Sequence, residues 1–247
     1  MLDPEMLAPH PERQLVYSSP LITERRKRIL HEARKMIAER GIERFSIREL
    51  CRRADVAQRT LYNAFHSKDR VIALAIREAY EDVNNALRYS TSAETLEGIL
   101  DRLIAVNRRN LRARNYTLAV TSIYFSPNTG EDIWNSLREM VFLNLRQWLD
   151  RLQRDGELQP WVNPVELAED IANVEYAVIN DWARGRIHDD DYVRRLVTSV
   201  LWLTIGATKG LTQKRAQKML ADMGRTGQVP EFPKASLGNP REVSGAV

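Results

Sequence analysis

Apolar residues recur at three- and four-residue spacing along most of the chain, and almost nowhere at the two-residue spacing of a strand. Ile29, Ala33, Met36, Ile37 and Ala38 trace one face of a helix that Thr23 is placed to cap and Gly41 to end. Ser46 followed by Glu49 forms a capping-box pattern, which predicts a short helix over about 46–53. Asp55-Val56 breaks the periodicity, a second short helix follows over about 57–65, and Ser67 opens a longer one with Val71, Leu74, Ala75 and Ala79 inward. Three helices with minimal breaks before a long one is the outline of a helix-turn-helix with its supports. Further amphipathic helices are predicted over about 92–113, 115–125, 131–154, 164–183, 191–209 and 212–222. The expected fold class is all-α: an N-terminal three-helix unit over 21–67 and a larger helical domain over 68–223. A flexible arm is expected over 1–20, where four prolines fall, and a flexible Gly/Pro-containing tail over 224–247.

The segment ADVAQRTLYNAFHSK, residues 54–68, carries the first functional signal. At about 100° per residue, Ala57, Leu61, Ala64 and Phe65 share one arc that must face a core. The opposite arc is centred on Arg59, with Tyr62 and Asn63 beside it and Gln58 and Thr60 at its edges. A guanidinium suits guanine, amides suit adenine and hydroxyls suit phosphate, so this is chemistry for a DNA major groove. An ordinary solvated helix face is the competing reading, against which Tyr62 counts as a large ring on the water side.

Charge strengthens the first reading. The chain has 247 residues and a net charge of +4, but residues 21–77 alone hold 15 basic and 7 acidic side chains, about +8. The positive field therefore belongs to one small block, as expected of a module that displaces counterions from phosphates. Cys51 is the single cysteine, which rules out an intramolecular disulfide and leaves either a packed thiol or a redox sensor. The longest weakly polar run, residues 197–208, falls well short of the roughly 20 residues needed to cross a bilayer, and the N-terminus does not read as a signal peptide. No membrane partner and a cytoplasmic location are expected.

The run GIERFSIRELCRRADVAQRTLYNAFHSKDRVIALAI resembles the DNA-binding domain of TetR/AcrR-type transcriptional regulators. Its glycine after the first helix, Phe-Ser start, LYxxF recognition helix and Ser-Lys opening of the fourth helix carry the likeness over about 23–76. The resemblance implies an all-helical homodimer, usually a repressor, with a C-terminal domain that binds a small effector and supplies the dimer interface. It implies base contacts from Gln58, Arg59 and Asn63, phosphate contacts from Thr60, Tyr62 and Lys68, and backbone contacts from Ser46 and Arg48. Lys68 also has a physical case, because a helix N-terminus already attracts anions. The family often has a histidine just before the phenylalanine of the recognition helix. Here Ala64 stands in that place and His66 follows Phe65, so no phosphate contact is assigned to His66.

In the C-terminal domain, Asn115, Tyr116, Thr121, Tyr124, Phe125, Trp134, Phe142, Asn144 and Trp148 are candidate walls for an apolar or aromatic effector, although aromatics at helical spacing equally describe plain core. Val193, Leu196, Val197, Val200, Leu201, Leu203 and Thr204 surround much of one helix, which must be buried by its own domain or by a twin. The resemblance favours the twin. The run from His188 to Asp191 reads as helix capping rather than a metal site, since consecutive residues converge poorly on one ion. No phosphate-cradling loop, GxSxG or HExxH motif occurs, so no enzyme, metal or cofactor is expected. The expected partners are a palindromic double-stranded DNA operator, a second copy of the chain and an effector. The alternative is a DNA-bound dimer that recruits a protein instead of a metabolite.

Overall fold

The computed structural model of the chain describes residues 20–87 and 89–233. Among them the ordered elements are ten α-helices: α1 (Pro20–Arg40), α2 (Ile47–Ala54), α3 (Gln58–Phe65), α4 (Lys68–Ala86), α5 (Leu96–Asn110), α6 (Arg114–Tyr124), α7 (Glu131–Arg154), α8 (Pro164–Ala183), α9 (Asp189–Ala207) and α10 (Gly210–Thr226). The all-α expectation is met. The expected arm lies outside the described residues apart from Pro20, which opens α1, and residues 234–247 of the expected tail lie outside them too. The part of that tail that is described does not start where expected. Helix α10 continues past 224 to Thr226, stops at Gly227 (φ 72°), and the chain then returns so that Val229 and Phe232 pack against the core.

Caps explain the other boundary shifts. Helix α5 begins at Leu96 rather than near 92 because Thr95 is the side chain that accepts from Gly98 N–H, at 3.0 Å, while Ser92 is spent in the preceding turn. The N-terminus of α10 is held by Glu157, whose carboxylate accepts from the Thr212 hydroxyl at 2.6 Å and from Leu211 N–H at 3.1 Å, with Arg151 at 2.9 Å on the same group.

Helices α1 to α3 enclose a small core of Met36, Ile37, Leu50, Ala54, Leu61 and Phe65, all essentially without solvent contact. Helix α4 closes that core through Val71, Ile72 and Ala75, then runs into the larger domain, where it packs on α7. Helix α1 packs on α4 and α6 as well as α2, so the two domains share two helices. In the larger domain Trp148, Trp182 and Tyr192 are fully buried, and Trp182 stacks on Tyr192 with ring centroids 4.4 Å apart.

Candidate functional site

The N-terminal site is built by two turns in the left-handed half of backbone space. Asp55 (φ 50°) ends α2, and His66 (φ 67°) ends α3. His66 sits at the centre of a γ-turn closed by Ser67 N–H donating to Phe65 C=O at 2.8 Å, and its own N–H donates to Tyr62 C=O at 2.8 Å. These turns set α3 with Leu61 and Phe65 inward and Gln58, Arg59, Tyr62 and Asn63 outward; Thr60 is partly covered. Tyr62 is 39% exposed, a large ring left facing water. Two residues assigned to the inner arc are corrected: Ala57 and Ala64 are exposed. A helix of eight residues buries only the side chains nearest its supports, here two of the four.

Electrostatics divides the basic block into spent and unspent charge. Arg52 and Arg53 both bond Glu49, at 2.9 and 3.0 Å, and Arg53 forms a two-pronged pair with Glu39 at 3.0 and 2.8 Å. Those hydrogen bonds from Arg52 and Arg53 hold the Glu49 carboxyl down at about 2. The capping box is therefore only half made: Ser46 accepts from Glu49 N–H at 3.4 Å, while the Glu49 side chain turns to the arginines. Arg26 lies over the Phe65 ring at 5.0 Å and Arg28 donates to Ala54 C=O at 2.9 Å, so both tie α1 to the reading unit. Arg44, Arg48, Arg59 and Arg70 are exposed with no acidic partner among the described residues. Arg44 and Arg70 were not singled out from the sequence, and their signal was simply membership of the basic block. Lys68 is partly buried, its ammonium 6.0 Å from the Phe45 ring centre, at the α4 N-terminus capped by Ser67. Cys51 is buried, and burial pushes its thiol up, away from the thiolate form a redox sensor needs.

The larger domain encloses a cavity of about 580 Å³ lined by α1 and by α4 to α9. Three of the expected wall residues line it: Tyr116, Thr121 and Asn144. The other six do not. Trp148 is fully buried elsewhere in the core, Phe125 is 50% exposed, and Asn115 faces outward. Tyr124 stacks on Tyr176 at 4.1 Å and donates to Asn173 at 2.6 Å, one layer behind the wall, while Trp134 and Phe142 sit under the Arg138 guanidinium at 4.4 and 5.1 Å. Unforeseen wall residues include Tyr80, Asn107, Glu175 and Tyr176. Asn144 donates to the Tyr80 hydroxyl, Tyr176 donates to Leu137 C=O at 3.0 Å, and Tyr192 donates to Asn107. Glu175 has no hydrogen-bond or ion-pair partner among the described residues, and burial pushes its carboxyl up to about 8. Its one apparent signal in the sequence is its place in the series Leu167, Ile171, Glu175, Ile179, a charge at an inward four-residue spacing.

The family model described as bacterial regulatory proteins, tetR family, matches residues 29–75, which run from α1 through both turns into α4. A repressor named KstR from Mycolicibacterium smegmatis is 28% identical over 183 residues, covering 72% of this chain and 85% of that protein. Over residues 29–75 the chain is thus similar to the tetR family of bacterial regulatory proteins, and over most of its length to repressors named KstR. Among solved TetR-family structures, a regulator from Rhodococcus sp. RHA1 superposes with a TM-score of 0.55 at 20% identity, over 73% of this chain and 96% of that one. Salmonella enterica GusR matches at 25% identity with a TM-score of 0.53, over 75% and 97%. The TetR-type fold thus extends beyond the matched segment into the larger domain.

The TetR-family expectation for the dimer face needs a correction at residue level. Leu196, Val197, Val200, Leu201 and Thr204 have essentially no solvent contact within the single chain, and Val193 is buried and Leu203 partly so. They are occupied by α8, α5 and α10 of the same chain, so a helix apolar on several sides was assigned the wrong outer face. The outward apolar groups on α8 and α9 are Ala177 and Trp202, the latter 53% exposed beneath the Arg195 guanidinium, with Gly206 open to space. His188 accepts from Asp190 N–H at 3.4 Å as the α9 cap, and Asp189 accepts from Trp182 Nε1 at 2.8 Å, so the acidic run has structural partners.

Proposed function

We propose that the protein is a dimeric, ligand-responsive transcriptional repressor in which each subunit sets α3 into a major groove of a palindromic operator. The outward face of α3, with Arg59 free of any acidic partner among the described residues while Arg52 and Arg53 are neutralised, is the observation that carries this reading. Gln58, Arg59 and Asn63 read bases, Thr60, Tyr62 and Lys68 hold phosphates, and Ser46 and Arg48 grip the flanking backbone. The two subunits meet through the outward faces of α8 and α9, around Ala177, Trp202 and Gly206. Repressors of similar sequence support the direction of control.

The cavity supports a small effector over a recruited protein as the input. Its walls include His31, Arg34 and Lys35 of α1 and Tyr80 and Asp82 of α4, the two helices shared with the reading unit. Arg34 joins them by bonding Asp82 at 2.8 Å and approaching Glu78 at 3.6 Å. A ligand that favours a different α1–α4 arrangement changes the spacing of the two α3 helices, provided its affinity differs between the states. Footprinting on the DNA flanking the protein's own gene tests the reading, with sedimentation to count subunits. A two-fold symmetric protected site, lost in Arg59→Ala, is expected; protection without symmetry, or unchanged by that substitution, refutes it.

A further inference from the structure

Among the described residues, three polar groups on the cavity wall lack a hydrogen-bond partner: the Tyr116 hydroxyl, the Glu175 carboxyl and Nε of Arg34, whose other nitrogens meet Asp82 and Glu78. The Tyr116 hydroxyl is buried without a hydrogen bond and already feels the Arg34 guanidinium, whereas the Glu175 carboxyl faces the cavity with neither a donor nor a cation beside it among the described residues. Glu175 is close enough to act electrostatically on the phenols of Tyr80, Tyr176 and Tyr192, so it sits in a tyrosine-walled part of the cavity. Most of the cations on the lining are engaged elsewhere. Arg34 serves Asp82 and Glu78, Lys35 pairs with Glu32 at 2.9 Å, and Arg102 donates to Gly98 C=O at 2.8 Å while stacking on Tyr89. Arg109 is exposed to solvent. An apolar chamber with unmet acceptors and aromatic ring faces is complementary to a positively charged donor.

We infer that the cavity takes an amphipathic amine, whose ammonium group pairs with Glu175 beside the phenols of Tyr80 and Tyr176 while its apolar body lies against Leu103, Val120, Met140 and Ile179. The inference rests on the ligand-responsive reading above and names the chemistry of that ligand. Burial raises the Glu175 carboxyl to about 8, so an ammonium that favours its charged form should displace a proton to solvent at neutral pH. The other ionisable groups around the cavity are His31, Arg34 and Lys35 on α1, Tyr80 and Asp82 on α4, Arg102 and Arg109 on α5, Tyr116 on α6, Tyr176 on α8 and Tyr192 on α9. Helix α7 contributes none.

The test uses three probes of one shape, 4-hexylbenzylammonium, 4-hexylbenzyl alcohol and 4-hexylbenzoate, titrated calorimetrically into the full chain and into Glu175→Gln at neutral pH. The amine should bind the native chain about tenfold or more tighter than the alcohol, the scale set by an opposite charge beside a carboxyl, with the benzoate weakest. Amine binding should release protons in the native chain only, and Glu175→Gln should erase the preference. Equal binding of alcohol and amine, a preference that survives Glu175→Gln, or no binding of any probe overturns the inference. DNA affinity measured alongside separates the two ideas. If the amine binds through Glu175 without altering DNA affinity, the assignment stands and the ligand-responsive reading falls; if the alcohol binds as well as the amine and releases DNA, the reverse holds.

Discussion

Glu49 in the reading unit and Glu175 in the cavity are the same side chain under opposite conditions. Glu49 has two arginines on it and is held at about 2; Glu175 has none and is pushed up to about 8. Around Glu49 the chain balances its own charges, which leaves Arg44, Arg48 and Arg59 unbalanced on the outward side. Around Glu175 no described residue supplies a balancing charge. Each region therefore exposes one sign of charge that an outside molecule must satisfy: phosphate for the reading unit, a cation for the cavity. The difference lies in solvent. Free guanidiniums on the surface keep their hydration, whereas burial in the cavity disfavours the charged form of the Glu175 carboxyl.

The strongest way to break the comparison is to remove the support that aims the reading face. Phe65 is fully buried beneath α1, with Arg26 over its ring. Phe65→Ala should cost about 3–5 kcal/mol of stability, read by chemical denaturation, and DNA binding should fail with it. A loss below about 1 kcal/mol would mean that α3 is not held as described. Next comes the unpaired charge itself. Arg59→Ala should cost about 1–3 kcal/mol of operator affinity and relax base preference at one position, while Lys68→Ala should weaken all sequences alike and lower the salt slope by about 1. Identical salt-dependent losses from both would show that Arg59 grips phosphate rather than reads a base.

The two glutamates also predict opposite responses to pH. Glu175 has a raised folded pKa, so the folded state holds the extra proton between the unfolded value of 4.5 and about 8, and stability falls as pH rises through that window. Glu49 has a lowered one, so its contribution is complete above 4.5 and is lost as pH falls toward about 2. Thermal melts across this range should show Glu175→Gln flattening the upper limb and Glu49→Gln only the acid limb. A native-like upper limb in Glu175→Gln would remove the desolvated carboxyl from the account.

The readability of the sequence differs between the regions for a physical reason. The reading unit is made by local rules: caps at Ser46 and Ser67, a turn at Asp55, and a helix whose outward side chains can be found by angle. Its misplacements, Ala57 and Ala64, are small residues that tolerate either side. The cavity is made where seven helices fail to fill the space between them, which no single helix encodes. Its aromatic walls have the spacing of core residues, and core is what Trp148 proved to be. Tyr116, Thr121 and Asn144 are among the expected residues, whereas Tyr80 and Tyr176 lie on helices from which no wall residue is expected. On α9, apolar residues on several sides concealed which side the chain itself covers, and only packing on α8, α5 and α10 decides it.

The smallest expected effect sharpens the boundary between structure and contact. His66 carries a backbone conformation, φ 67° and ψ −42°, that side-chain-bearing residues rarely adopt. Replacing it with glycine should relieve about 1 kcal/mol of strain, partly offset by the greater freedom glycine gives the unfolded chain, for a net change between zero and about 1 kcal/mol in favour of folding. If His66 only shapes the turn that aims α3 and starts α4, DNA affinity and its salt slope should be unchanged in His66→Gly. A fall in affinity together with a shallower salt slope, at undiminished stability, would instead make this imidazole a phosphate ligand.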